Sequence, residues 1–112
     1  VNEQGAKEMG DRLTNAAGLP VDAPPAEVIP AVHRRLAGCR ARIVMATLED
    51  ALAAPDRPNM PGVSQGWPNW SLPLPKTLEQ VMESNSVRRV VEAISDRALR
   101  PPAPKGTPDP AG

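Results

Sequence analysis

Apolar residues recur at steps of three and four near both ends of the chain, which is the spacing of one face of an α-helix. Ala6, Met9 and Leu13 form such a stripe and predict a helix over residues 3–17. Gly18 follows and suits a left-handed cap at the end of that helix. The most regular stripe predicts a terminal helix over about residues 87–99; its apolar members are Val87, Val90, Val91, Ile94 and Ala98.

A second helical stripe lies between residues 26 and 37. Its apolar members are Val28, Ile29, Val32 and Leu36. Pro30 interrupts this stripe, and proline is tolerated only in the first turn of a helix. We therefore expect the regular helix to begin near Ile29, after an irregular stretch of backbone.

The run from Arg42 to Ala46 is dominated by consecutive apolar residues, which is typical of a strand buried on both faces of a parallel sheet. Thr47 and Asp50 follow at the spacing of a helix-capping pair and predict a short helix directly after it. One parallel strand cannot form a sheet. The partner strands of this predicted strand would therefore lie outside the chain.

Residues 54–77 form an unusual segment, rich in proline and containing the two tryptophans, Trp67 and Trp70. A long connection of this kind is either functional or disordered. Because prolines stiffen the segment and disordered segments are usually poor in aromatics, we expect an ordered, rigid loop. Thr77 then has the spacing of a second capping box, whereas residues 101–112 have the composition of a disordered tail.

Composition limits the classes of function. The 112 residues suffice for one domain, and thirteen basic residues balance thirteen acidic ones, which argues against nucleic-acid binding. No apolar run is long enough to span a membrane. A single cysteine, Cys39, excludes an internal disulfide and fits a reducing, cytoplasmic compartment. With no Phe or Tyr, the chain has little from which to build a core of its own.

No metal-binding spacing, phosphate-binding loop or catalytic triad stands out, and we expect no cofactor and no metal. Three short motifs nevertheless carry a resemblance to a known family. They are Asn59-Met60-Pro61-Gly62, Pro68-Asn69-Trp70 and Leu72-Pro73-Leu74-Pro75. The sequence resembles the C-terminal region of the 4-alpha-glucanotransferases, also called amylomaltases or disproportionating enzymes. The resemblance extends over roughly residues 3–100, because residues 32–37, 42–44 and 48–52 are similar to the stretch that precedes these motifs in the family.

The resemblance implies that the chain is the C-terminal fragment of a (β/α)8 TIM barrel. Residues 1–100 would form the last part of the barrel, with its last strand at about 42–46 and a substrate-side loop at 54–77. Residues 101–112 would be the tail. The isolated chain would then be mostly α-helical, with one short β-strand and a long Pro-rich loop.

The resemblance also implies transfer of α-1,4-glucan segments between maltodextrins by a retaining double displacement. In the family the nucleophile, the general acid and a third, stabilising Asp lie before the region matched here, and the His-Asp motif that carries the third is absent from this sequence. We therefore assign no catalytic residue and expect the 112-residue chain alone to be inactive. The expected partners are malto-oligosaccharides and the remainder of the barrel.

Asn59 is the predicted substrate contact, since its family counterpart faces the sugar and an amide both donates and accepts hydrogen bonds. Pro61 and Gly62 would shape the turn beneath it. We expect Asn69 and Trp70 to pack the loop rather than to stack on sugar. The alternative hypothesis is a free-standing, Pro-rich helical interaction module without enzymatic activity, which would offer its extended segments to aromatic-lined grooves.

Overall fold

The computed structural model describes residues 3–95, which form five α-helices. They are α1 (Glu3–Ala16), α2 (Pro25–Ala37), α3 (Leu48–Ala51), α4 (Leu78–Glu83) and α5 (Asn85–Ser95). Helices α2 and α5 pack most extensively against each other, while α1 contacts α2 and α3 contacts both α2 and α5. The long Pro-rich loop, residues 54–77, connects α3 to α4. The predicted tail at 101–112 and the last residues of the predicted 87–99 helix lie outside the described range.

The core contains few residues, and most of them have short side chains. Val90 and Ala93 of α5 are almost fully enclosed, and His33 of α2 is buried with them. Within residues 3–95 the other buried apolar residues are Pro30, Ala37, Ala51 and Val81. The Nδ1 atom of His33 lies 2.7 Å from the carbonyl oxygen of Ile29, so this histidine is a packing residue of α2.

Helix α1 confirms the first apolar stripe and ends as its sequence predicts. Gly18 adopts a left-handed backbone with φ of 74°. Its N–H donates to the carbonyl of Asn15 and the N–H of Leu19 donates to that of Thr14, which together form a Schellman cap. Apolar Met9 and Leu13 remain substantially exposed, so this helix buries little of its apolar face within the chain.

The expected start of α2 near Ile29 is wrong, because the helix begins at Pro25 and includes Pro30. Pro25 stands in the first helical position, where its missing N–H costs nothing. Pro30 has no N–H to give to the carbonyl of Ala26, four residues earlier. That carbonyl instead accepts from Nη1 of Arg89 on α5, at 2.9 Å, so the proline is accommodated by a contact between helices.

Arg89 also forms a two-pronged ion pair with Glu27 in the first turn of α2. The Nη1–Oε1 distance is 3.3 Å and the Nη2–Oε2 distance is 3.1 Å. The hydrogen bonds and the positive charge of Arg89 lower the pKa of the Glu27 carboxyl. This arrangement ties the beginning of α2 to the middle of α5.

The prediction of a strand at 42–46 is wrong, because residues 3–95 contain no strand and this stretch is irregular. Ile43 and Met45 are 78% and 79% exposed, rather than buried on both faces of a sheet. A strand needs a neighbour to accept its backbone hydrogen bonds, and no other part of the described chain is extended beside it. The one-strand fragment of a TIM barrel is therefore not the fold that the structure shows, although the mostly helical content agrees with it.

The three remaining helices begin where side chains cap them. Thr47 accepts from the N–H of Asp50 at the start of α3, and Thr77 forms a reciprocal capping box with Gln80 at the start of α4. Ser84 separates α4 from α5, with its hydroxyl 3.5 Å from the N–H of Val87. The predicted caps at Thr47 and Thr77 are confirmed.

Candidate functional site in the Pro-rich loop

The Asn-x-Pro-Gly motif forms a tight turn in the Pro-rich loop. The N–H of Val63 donates to the carbonyl of Met60 across 3.2 Å, with Pro61 and Gly62 as the two central residues. Gly62 has φ of 79°, which together with proline before it defines a type II turn. The motif therefore has a local physical reason: proline fixes the first central φ and glycine allows the positive second one.

A second residue, Asn69, holds this turn from outside. Its Oδ1 accepts from the N–H of Met60 and its Nδ2 donates to the carbonyl of Val63, both at 2.7 Å. These are the outward-facing groups of the two residues that flank the turn. The Asn69 amide thus replaces the peptide group of a neighbouring strand, and it fixes the turn although the loop lacks regular secondary structure.

The two tryptophans differ in their exposure and in the groups through which they contact the rest of the loop. Trp67 is partly buried, and its Nε1–H donates to the carbonyl of Arg57 at 3.1 Å. Trp70 is 76% exposed and has a left-handed backbone with φ of 60°. Its N–H donates to the carbonyl of Pro58 at 2.7 Å, which closes the Pro-rich loop on itself. The indole of Trp70 therefore lies mostly in solvent.

Asn59 differs from Asn69 in having an uncommitted side chain. It is partly buried, and within residues 3–95 its amide makes no hydrogen bond to another protein group. Its position is nevertheless fixed, because Pro58 before it and Met60 after it are both hydrogen-bonded within the loop. An ordered amide with unused donors and acceptors is what recognition of a hydroxylated ligand requires.

The structure brings the three predicted site residues together at one tip of the loop: Asn59 enters the turn, and Pro61 and Gly62 form it. The sequence predicts only that Asn69 packs the loop, and it does not reveal that this side chain clamps the turn. A usable signal existed, because asparagine is the side chain that most readily imitates a backbone group in turns. Nothing in the sequence, however, pairs position 69 with positions 60 and 63.

A groove lies at the base of the Pro-rich loop, where its two ends meet α3. Its volume is about 290 Å³, and we call it the proline groove after four of its lining residues, Pro55, Pro58, Pro73 and Pro75. Leu72 and Leu74 complete the apolar wall, and the carboxylates of Glu49 and Asp56 also line it. Pro58 lies between the groove and the Asn-x-Pro-Gly turn. It lines the groove and precedes Asn59, and its carbonyl accepts a hydrogen bond from the N–H of Trp70.

The described residues offer no metal centre, since no group of three or more His, Cys, Asp or Glu among residues 3–95 is placed to hold an ion. Over the same range, no helix has the length and apolar character needed to cross a bilayer. Cys39 is exposed after the end of α2.

Comparison with protein-family models matches residues 2–79 to a glycoside hydrolase family, number 77, described as 4-alpha-glucanotransferase. The match covers more than half of the chain and includes the whole Pro-rich loop. The chain therefore belongs to the 4-alpha-glucanotransferase family. Comparisons with curated proteins and with solved structures give no match.

Proposed function

We propose that the chain is the C-terminal part of a 4-alpha-glucanotransferase that transfers α-1,4-glucan segments between maltodextrins. Family membership supports the substrate class, and the resemblance of the loop motifs supports the position within the enzyme. The reaction would be a retaining double displacement, in which a carboxylate nucleophile forms a glycosyl-enzyme that an acceptor sugar then resolves. The catalytic carboxylates would be supplied by a region that precedes this one in the enzyme.

The role proposed for this chain is substrate contact by Asn59. The single observation that carries it is the contrast between the two loop asparagines: the amide of Asn69 is fully used in holding the turn, whereas that of Asn59 is positioned and unpartnered among residues 3–95. Pro61 and Gly62 would act as positioning residues, because they fix the turn that follows Asn59. Sugar hydroxyls both donate and accept, which matches an amide.

The exposed apolar side chains support the second expected partner, the remainder of the enzyme. Ile43 and Met45 project from irregular backbone with more than three quarters of their surface exposed, and Leu36 and Leu13 are more than two fifths exposed. Such residues cluster where another protein surface covers them. We propose that the preceding part of the enzyme packs on this face. This exposure also favours a component of a larger enzyme over a free-standing module.

The test has two arms. The 112-residue chain incubated with maltotriose should produce neither longer nor shorter maltodextrins. Disproportionation products would contradict the proposal that the catalytic groups lie outside this chain. In an enzyme that contains these residues, Asn59→Ala should weaken maltodextrin affinity about tenfold, as expected for lost hydrogen bonds of about 1.4 kcal/mol. Gln65→Ala is the matched control, because Gln65 is an exposed amide of the same loop outside the motif. Equal kinetics for the two variants would contradict the role of Asn59.

A cytoplasmic location is part of the same proposal. It rests on the lone cysteine, which is consistent with a reducing compartment. Its check is the cellular distribution of the protein carrying an epitope tag, where recovery from the secreted fraction would contradict it.

A further inference from the structure

Four exposed arginines stand within nine residues of one another at the end of α2, and we call them the arginine surface. They are Arg34, Arg35, Arg40 and Arg42. Within residues 3–95 none of their side chains takes part in an ion pair or a hydrogen bond. No acidic residue occurs between Glu27 and Glu49, so the positive charge of this stretch is not balanced by its neighbours in sequence, although the whole chain has no net charge.

The backbone at the end of α2 keeps these arginines near one another. The N–H of Gly38 donates to the carbonyls of Arg34 and Arg35, at 3.3 and 3.1 Å. The next N–H donates to the carbonyl of Leu36 at 3.0 Å, so the chain turns tightly where the helix ends. Arg40 therefore begins beside the last turn of α2, and the remaining arginine follows two residues later. Because arginine side chains are long, one extended ligand can contact all four guanidinium groups.

The helix dipole accounts for only half of the arginine surface. Arg34 and Arg35 stand in the last turn of α2, where positive charge is favoured by the negative end of the dipole. Arg40 and Arg42 lie beyond the helix, on irregular backbone, and this effect falls off within the last turn. Like charges placed this close repel one another, and a negatively charged partner removes that repulsion. The arginine surface is therefore suited to binding an anion.

The surroundings of the arginine surface favour an acidic protein segment over other anions. Each guanidinium group has a planar fork that matches a carboxylate through two hydrogen bonds. A single small ion is disfavoured, because the carbonyl end of a helix repels it and exposed side chains do not enclose it. Elsewhere in the chain thirteen acidic residues face the remaining nine basic ones, which disfavours the broad contacts made by nucleic acid or an anionic membrane.

We propose that the arginine surface docks an acidic segment of a partner protein, whose carboxylates pair with its four guanidinium groups. Charged residues are depleted at the buried centre of protein interfaces, so this surface would stay accessible when the preceding part of the enzyme packs on the neighbouring apolar face. The inference goes beyond the proposed function and does not depend on it. An α-1,4-glucan is uncharged and makes no use of a cationic surface, and docking requires no catalytic group.

The test measures binding of a fluorescently labelled deca-glutamate peptide to the 112-residue chain by fluorescence anisotropy. One double variant, Arg34→Gln with Arg35→Gln, changes the end of the helix. The other, Arg40→Gln with Arg42→Gln, changes the stretch beyond it. Each exposed charge pair contributes a factor of about two to five in affinity, so each double variant should weaken binding about tenfold.

A matched control separates the arginine surface from the total charge of the chain. Arg88→Glu alters the net charge by as much as either double variant, and Arg88 is exposed on α5. Its neighbour Arg89 pairs with Glu27 in the first turn of α2, so the control lies near the other end of that helix. The control should leave the affinity within about twofold of that of the unchanged chain, since exposed charges are largely screened beyond about 10 Å.

Salt and two further probes test the chemistry of the contact. Raising the salt from about 0.01 M to about 1 M shortens the screening length from about 30 Å to about 3 Å and should abolish binding of the deca-glutamate peptide. An uncharged Gly-Ser peptide of equal length should not bind. A thymidine decanucleotide, which carries phosphates in place of carboxylates, should bind more weakly than the deca-glutamate peptide.

Each outcome decides the proposal. Binding of the deca-glutamate peptide that both double variants weaken and Arg88→Glu retains supports it. No binding at low salt would overturn it, and so would an equal loss in the control, because the total charge would then explain the attraction. Tighter binding of the decanucleotide would overturn an acidic protein partner in favour of nucleic acid. Far-UV circular dichroism should be the same for all variants, since every substituted residue is exposed.

Discussion

The Asn69 clamp gives the sharpest prediction, because one side chain holds both flanks of the Asn-x-Pro-Gly turn. Asn69→Ala removes two hydrogen bonds of 2.7 Å, from the N–H of Met60 and to the carbonyl of Val63. Each neutral hydrogen bond contributes about 0.5–1.5 kcal/mol net, so the variant should destabilise the ordered loop by about 1–3 kcal/mol. The helices should be unaffected, since the contacts of Asn69 lie within the loop.

Hydrogen exchange of the Met60 amide measures this directly. Its N–H is bonded to the Asn69 side chain alone among the described residues, so a loss of 1–3 kcal/mol should speed its exchange by about tenfold for each 1.4 kcal/mol. Both tryptophans of the chain, its only aromatic residues, lie in the loop, so intrinsic fluorescence gives a second readout of the same region. Far-UV circular dichroism should stay constant.

Asn69→Asp refines the test through its pH dependence. The aspartate keeps an acceptor for the N–H of Met60, but when ionised it places an oxygen against the carbonyl of Val63. Protonation restores one donor, so protection of the Met60 amide should recover partly as the pH falls through the aspartate range, near 4. Asn59→Ala is the control and should leave that exchange unchanged. If Asn69→Ala also leaves it unchanged, the clamp is not what orders the turn.

Three further predictions follow from burial, from backbone conformation and from charge. Val90→Ala should lower the free energy of unfolding by about 2 kcal/mol, measured by urea denaturation, whereas Val91→Ala, with half its surface exposed, should cost less than about 0.5 kcal/mol. Gly62→Ala should destabilise the loop by about 1 kcal/mol because of the positive φ, whereas Gly10→Ala in α1 should stabilise the helix by a similar amount. The lowered pKa of Glu27 means that its ion pair stabilises the fold above the ordinary glutamate pKa and is lost as the pH falls through the lowered value, an effect stronger at low salt.

Contrary results are equally specific. Equal costs for Val90→Ala and Val91→Ala would place the core elsewhere than between α2 and α5. A neutral Gly62→Ala would mean that the turn does not need a left-handed residue. An acid unfolding curve that is the same for Glu27→Gln and the unchanged chain would show that the ion pair contributes nothing to stability.

The helices could be predicted from the sequence because their signals are local. The Schellman glycine at position 18 and the caps at Thr47 and Thr77 act within a few residues of where they stand. Pro30 could not be placed the same way, since a proline inside a helix depends on what satisfies the carbonyl it leaves bare, and that partner, Arg89, lies 59 residues further on.

The strand predicted at 42–46 was wrong for the complementary reason. Its apolar pattern is real, but a pattern gives a strand only when another strand accepts its hydrogen bonds, and here Ile43 and Met45 remain exposed. The candidate site was predicted in part. The turn at Pro61 and Gly62 follows from their residue types, whereas the clamp by Asn69 is a contact across six to nine residues that no spacing rule contains.

The most direct test of the account measures glucan binding by the 112-residue chain through the fluorescence of its two loop tryptophans. Titration with maltoheptaose should give a saturable change that is weakened about tenfold by Asn59→Ala and retained in Gln65→Ala. Cellohexaose, with β-1,4 links in place of α-1,4, should give a much smaller one. No response to maltoheptaose, or an equal response to both sugars, would contradict a glucan-contact role for the Pro-rich loop.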